Sequence, residues 1–68
     1  MAKIEFDVTL VAKTDLAFLI KSDVGESWVP RSSCSFEPGN RAPEHRWKLP
    51  LDGEARMHEN YASDKGLI

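Results

Sequence analysis

The stretch that most constrains this chain lies at its start, where apolar and polar side chains alternate from Lys3 to Lys13. A period of two residues puts every second side chain on the same face of a β-strand. Val11 alone departs from the alternation. The sequence therefore predicts a strand near 3–13 whose core-facing side chains are Ile4, Phe6, Val8, Leu10 and Ala12.

Two more strands follow, with a tight turn between them. The run from Leu16 to Ile20 is apolar without alternation, which is typical of a strand covered on both faces. Residues 22–25 carry turn chemistry, and Gly25 can adopt a positive φ there. We expect strands near 16–23 and 26–31 to form a hairpin, with Pro30 at an edge or a strand end because proline cannot donate to a ladder.

The segment from Glu26 to Ser32 is the predicted centre of the fold, because it places the largest apolar side chain, Trp28, inside a short strand. We expect this tryptophan to be buried with the apolar residues of the two preceding strands. The predicted core is Phe6, Val8, Leu10, Phe18, Ile20 and Trp28.

The middle of the chain is dominated by turn residues. Residues 32–36 suit either one helical turn or a continued strand, and the sequence does not decide between them. Residues 37–45 hold two prolines, a Pro-Gly pair and an asparagine, and they predict a mobile loop longer than a hairpin needs. Residues 46–51 then predict a fourth strand, with Trp47, Leu49 and Leu51 on one face.

The last stretch predicts a helix near 54–65. Asp52 can cap its first turn, and Gly66 can end it. The predicted contacts with the sheet are Met57, Tyr61 and Ala62. Together the elements predict a single domain, residues 1–68, of the α+β class and mainly β: a small twisted antiparallel sheet or SH3-like barrel of about four strands with one C-terminal helix.

Composition narrows the class of protein. With 41% hydrophobic and 29% charged residues, the chain resembles a soluble globular domain. No apolar run approaches the roughly 18 residues of a membrane span, so we expect no membrane association and a setting in the cytoplasm of the producing or infected cell. Cys34 is the single cysteine, and with His45 and His58 it forms no pattern typical of a metal site or a catalytic dyad. We therefore expect no metal, no cofactor and no enzymatic activity.

Charge is unevenly distributed although the formal net charge is only −2. Residues 31–48 carry four Arg or Lys side chains against Glu37 and Glu44. Trp47 lies in this segment, and the sequence leaves open whether it is a core residue or an exposed one. Arginine and tryptophan are enriched among binding hot spots. The predicted binding residues are Arg31, Arg41, Arg46, Trp47 and Lys48, and the alternative surface is an acidic one of Glu5, Asp7, Glu54 and Glu59.

Two segments carry a resemblance to a known set of proteins. Trp28-Val29-Pro30-Arg31-Ser32, after an apolar strand and a turn with Gly25, and the closing Lys65-Gly66-Leu67-Ile68 resemble small uncharacterised tailed-phage and prophage proteins. Those proteins have a Trp-aliphatic-Pro-Lys/Arg-Ser strand and a short final helix. The resemblance covers under a third of the chain, implies a phage origin, and transfers no catalytic residue.

Two functions follow as hypotheses. The first is a non-enzymatic phage accessory protein that binds a host or phage protein, or a defence complex, and modulates it, most simply by inhibition. The second is a small nucleic-acid-binding β-barrel that uses Trp47 and the neighbouring Arg and Lys side chains, although the acidic net charge opposes it. A core this small also leaves room for a homodimer.

Overall fold

The computed structural model describes residues 2–68 as an open five-stranded antiparallel sheet followed by a short helix. The strand order is β3-β2-β1-β5-β4, so β3 and β4 are the two edges. The α+β, mainly β class is confirmed, and the architecture is the open sheet rather than a closed barrel. The elements are β1 (Lys3–Lys13), β2 (Ala17–Lys21), β3 (Glu26–Pro30), β4 (Ser35–Pro38), a 3-10 turn (Glu44–Arg46), β5 (Leu51–His58) and α1 (Glu59–Asp64).

Strand β1 is the centre of the sheet, because it pairs with β2 on one side and with β5 on the other. Its predicted bounds are confirmed. The register with β2 shifts between Leu10 and Ala12, so Val11 lies in a bulge. A bulge inserts one extra residue into a strand. That extra residue explains why Val11 interrupts the alternation seen in the sequence.

The predicted hairpin of β2 and β3 is also confirmed, although β2 is shorter than the expected 16–23. The Ser22 hydroxyl accepts hydrogen bonds from the backbone N–H groups of Val24 and Gly25, at 3.2 and 3.3 Å. Gly25 fits this turn for a reason the sequence did not reveal. A Cβ there would lie 2.5 Å from the carbonyl oxygen of Gly66, so glycine allows the C-terminal segment to approach closely.

The predicted fourth strand at 46–51 is wrong. The fourth strand is Ser35–Pro38, which pairs with β5 and takes in the first two residues of the predicted 37–45 loop. Residues 31–33 form a turn before it. The alternating Trp47 and Leu49 mimic a strand, but both side chains pack on the core from an irregular segment that ends in a cis Leu49–Pro50 bond.

The predicted helix at 54–65 is wrong over its first half. Residues 51–58 form β5, which pairs with both β1 and β4. Its exposed and inward-facing residues alternate with period two, and this pattern outweighs the helix-forming residues Glu54, Ala55 and Met57. Asp52 caps no helix and instead accepts a hydrogen bond from the Thr9 hydroxyl at 2.8 Å.

The end of the helix agrees with the prediction. Gly66 has a φ of 73° and donates its N–H to the carbonyl of Ser63, while the N–H of Leu67 donates to the carbonyl of Ala62. This pair of bonds is a Schellman motif, in which glycine takes the left-handed position. The motif turns Leu67 into the core, where it is 1% exposed.

The core lies on one face of the sheet, here called the inner face. Val8, Leu10, Phe18 and Ile20 are buried as predicted, and Phe6 is half-buried. Helix α1 and Leu67 cover one part of this face, while Trp47 and Leu49 contact it from the loop. The other buried apolar residues are Val29, Cys34, Ala55, Met57 and Ala62.

The prediction that Trp28 belongs to the core is wrong. Its side chain is 47% exposed, whereas the next residue, Val29, is fully buried. Neighbouring residues in a strand point to opposite faces, so only one of the two can reach the core. Trp28 therefore lies on the uncovered face, here called the outer face, opposite Leu19 of β2.

Within residues 2–68, no helix is long and apolar enough to cross a membrane.

Candidate functional site

The candidate site is the segment 39–50, here called the pinned loop. Its Trp47 ring contacts Phe36 edge-on, with the ring centroids 5.4 Å apart, and lies 6.2 Å from the ring of Phe18. The indole Nε1 donates a hydrogen bond of 2.8 Å to the carbonyl of Ala42 in the same loop. Trp47 is therefore half-buried and fastens the loop to the core of the sheet.

Arg31 fastens the pinned loop at a second point. It follows β3, and its two terminal nitrogens donate to the two carboxylate oxygens of Glu44, each at 2.8 Å. Its Nε donates to the carbonyl of Thr14 at 3.0 Å, and its guanidinium lies 4.4 Å from the ring centroid of Phe18. A planar guanidinium held from several sides is a rigid anchor. Lys13 adds an ion pair to Glu44 at 3.2 Å.

These contacts fix the charge of the Arg31–Glu44 pair, here called the clamp. The hydrogen bonds from Arg31, with a smaller contribution from Lys13, lower the pKa of Glu44 from its ordinary 4.5 to about 2. The same pairing raises the pKa of Arg31 above its ordinary value. Both groups are therefore fully ionised at neutral pH.

Three of the predicted binding residues remain exposed on the pinned loop: Arg41, Arg46 and Lys48. None of them has an ion pair within the described residues 2–68. Arg41 has a φ of 56°, a left-handed conformation that a long side chain rarely adopts. Its N–H donates to the carbonyl of Pro38, which holds the turn in place. The five predicted residues thus divide into two that anchor the loop and three that it displays, here called the basic patch.

The outer face carries the opposite charge. Asp7, Glu54 and Glu37 lie side by side in one row across β1, β5 and β4. Glu5 is on this face too, where it pairs with Arg56 at 3.6 Å, while Glu59 begins α1. A shallow groove of about 830 Å³ over this face is lined by the carboxylates of Asp7, Asp23, Glu26, Asp52 and Glu54 together with Lys21. The outer face is consequently unsuited to a phosphate backbone.

Sequence reasoning missed the exposed tryptophan of the outer face. Trp28 is 47% exposed, and Leu16, just before β2, is 81% exposed. The signal that could have found this was the adjacent pair Trp28-Val29, because a two-residue period allows only one of them inside.

The groups considered for catalysis or metal binding are dispersed. Burial raises the pKa of the Cys34 thiol, which is 8% exposed, so the reactive thiolate is disfavoured. His45 lies exposed in the 3-10 turn, and His58 lies exposed at the end of β5. In the part of the chain that the structure describes, no group of three or more His, Cys, Asp or Glu side chains could hold a metal ion.

Comparison of the chain with protein-family models, with curated proteins and with solved structures finds no match in any of the three.

Proposed function

We propose that this chain is a non-enzymatic binding module that engages an acidic surface of a partner protein through the basic patch of Arg41, Arg46 and Lys48. The observation that carries the proposal is the two-point anchoring of the pinned loop. Arg31 and Trp47, which the sequence predicts as contact residues, act as positioning residues in this proposal.

Anchoring matters because binding a flexible loop costs conformational entropy. Ordering one rotamer-rich side chain costs roughly 0.5–1.5 kcal/mol, and ordering the backbone costs more. The clamp at Glu44 and the ring of Trp47 hold the backbone of the pinned loop before any partner arrives. The positive φ of Arg41 is a strained conformation of the kind that clusters at binding sites.

A protein partner is favoured over nucleic acid for three reasons. Single-stranded nucleic acid binds by stacking its bases on an exposed aromatic ring. The Trp47 ring instead packs against the rings of Phe18 and Phe36. Counterion release needs many cations, and the basic patch has three. The row of Asp7, Glu54 and Glu37 on the outer face would repel a phosphate backbone that wrapped around the sheet.

The biological setting rests on the motif resemblance at residues 28–32 and 65–68. A small phage protein acting in the host cytoplasm, and inhibiting a host protein or a defence complex, fits a binding module of this size. An interface of a few hundred Å² on each side is within reach of a 68-residue chain.

The test is affinity capture from a nuclease-treated bacterial host lysate with three forms of the tagged protein: wild type, R41A/R46A/K48A, and the charge-matched control K3A/K21A/K65A. The three lysines of the control are exposed, and none of them belongs to the pinned loop. We expect wild type and control to retain one stoichiometric protein that the first variant loses. Circular dichroism and melting curves should be the same for all three.

A parallel salt titration against a labelled single-stranded oligonucleotide addresses the alternative. Binding at low salt that R41A/R46A/K48A abolishes would replace the protein partner with nucleic acid. Undiminished capture by the folded triple variant would contradict the proposed surface and move the binding site to the acidic outer face.

A further inference from the structure

Strand β3 ends the sheet on one side, and no strand of the described residues 2–68 pairs with its outer edge. Two backbone hydrogen bonds establish which of its groups point outwards. Ser22 N–H donates to Gly25 O at 2.7 Å at one end of the hairpin, and Arg31 N–H donates to Leu16 O at 2.9 Å at the other. Hydrogen-bonded pairs alternate with non-bonded pairs along an antiparallel ladder, so these two bonds fix the phase of every pair between them.

By this alternation, the backbone of Trp28 points away from β2. Its N–H and C=O lie at the open edge, together with the N–H of Glu26 and the C=O of Pro30. The Ser27 hydroxyl approaches the Trp28 carbonyl at 3.4 Å, which is a long contact that leaves the second lone pair free. Unpaired edge groups are a template for pairing with another chain, and in β3 the residues that usually hinder such pairing, Glu26 and Pro30, lie at the two ends of the strand rather than at its centre.

The side chains of this edge add an apolar surface. Trp28 lies on the outer face next to Leu19 of β2, which in turn lies opposite Ala12 of β1. An apolar row therefore crosses three strands and ends at the half-exposed indole. Sheets gain stability from aromatic and aliphatic cross-strand pairs, and this row has no further strand to continue it.

We propose that two copies of this chain pair through β3, antiparallel, about a two-fold axis that passes beside Trp28. Each Trp28 N–H then donates to the carbonyl of the partner's Trp28. Each Glu26 N–H donates to the carbonyl of the partner's Pro30, and the missing N–H of Pro30 leaves the reverse bond unmade. The two sheets become one continuous ten-stranded sheet, and the two indoles lie side by side across the axis.

Repulsion between carboxylates favours this register over the neighbouring one, and it favours pairing through β3 over pairing through the other edge strand, β4. With Trp28 at the axis, each Glu26 lies opposite the partner's Pro30, so the two Glu26 carboxylates are about four residues apart, roughly 13 Å. A shift that pairs Glu26 with the partner's Trp28 would bring the carboxylates to roughly 7 Å. The other edge, β4, carries Glu37 at the end of the acidic row, and self-pairing there would join two such rows.

The first measurement is sedimentation of the wild-type protein from micromolar to millimolar concentration. We expect the mass to rise from 7.7 kDa to twice that value. W28K should stay at the mass of one chain throughout, because it would place two ammonium groups side by side at the axis. The matched control is L16K, which changes a more exposed leucine away from the edge and should dimerise like wild type.

The second measurement separates a specific pairing from a general effect of charge. W28E should also be monomeric by itself, and an equimolar mixture of W28K and W28E should dimerise, because lysine and glutamate would then lie opposite each other. Wild type that remains monomeric at millimolar concentration, or a mixture that remains monomeric, overturns the proposal. Loss of dimer in L16K overturns it as well.

This inference is independent of the proposed function, because β3 and the basic patch share no residue. R41A/R46A/K48A should dimerise as wild type does, so failure of either proposal leaves the other testable.

Discussion

At the scale of single residues, Glu44 holds the pinned loop to Arg31, which follows β3, and to Lys13 of β1. Its carboxylate accepts both terminal nitrogens of Arg31 and lies 3.2 Å from the ammonium of Lys13. The residue is exposed, so each ion pair is screened by water and contributes roughly 0.2–1 kcal/mol. The bidentate geometry places the Arg31 pair at the upper end of that range.

Glu44→Gln should therefore lower the free energy of unfolding by about 1 kcal/mol at pH 7. The folded pKa of about 2 lies below the ordinary 4.5, so the unfolded chain takes up the proton first as the pH falls. The contribution of the pairs is complete above about pH 5 and disappears as the pH falls through the folded value near 2.

Urea unfolding of both proteins at several pH values measures this effect. The two stabilities should differ at pH 7 and converge towards pH 2. Asp23→Asn removes an exposed carboxylate that has no ion pair in the described part of the chain, and it controls for net charge. A difference that stayed constant with pH would exclude the ion pairs as its cause.

The burial of the two tryptophans could be predicted only in part from the sequence. Trp28 was expected in the core and is exposed, while the position of Trp47 was left open and proves half-buried. Propensity and size favour both residues for burial equally. The difference between the two tryptophans comes from their tertiary contacts. Val29 occupies the inward position next to Trp28, so Trp28 points outwards. The rings of Phe18 and Phe36 contact Trp47 and bury part of it.

At the scale of elements, the first three strands could be predicted because their signals are local. Alternation, the turn at 22–25 and Pro30 all lie within the elements they define. The strand β5 could not be predicted in the same way, because Glu54, Ala55 and Met57 are good helix formers. Two ladders, to β1 and β4, outweigh that propensity, and neither partner can be recognised from residues 51–58 alone.

Gly53 lies where β4 packs closely against β5, so a substitution at this position tests that packing. A Cβ at this position would meet the carbonyl oxygen of Glu37, and would also lie 2.7 Å from the ring of Phe36 and 2.9 Å from the Cα of Pro38. Gly53→Ala should therefore force β4 away from β5 and cost about 1–3 kcal/mol of stability.

Gly39→Ala is the matched control, since its Cβ would make one ordinary contact at 3.5 Å with the carbonyl of Asp52. Thermal unfolding of the two variants compares their melting temperatures, and we expect the lower one for Gly53→Ala. Equal melting temperatures, or a lower one for Gly39→Ala, would contradict the placement of β4 against β5.

At the scale of the whole molecule, the sheet has two unlike faces. The inner face is covered by α1, Leu67 and the pinned loop, and the outer face is open, acidic in its centre and apolar towards β3. A basic patch, an open edge and a core can coexist in so short a chain because each uses a different part of the molecule. The division could not be predicted from composition, since the net charge of −2 averages the two faces.

The pinned loop is held in place while the Trp28 side chain is exposed, and hydrogen exchange of the two indole N–H groups tests both statements in one NMR spectrum. Trp47 Nε1 donates to Ala42 inside the anchored loop, so opening must precede exchange there. At a concentration where sedimentation gives a monomer, the Trp47 indole proton should exchange at least about tenfold more slowly than that of Trp28, as a local stability above about 1.4 kcal/mol requires. Trp28→Phe assigns the two signals. Equal exchange rates, or slower exchange at Trp28, would contradict the anchoring of the pinned loop by Trp47.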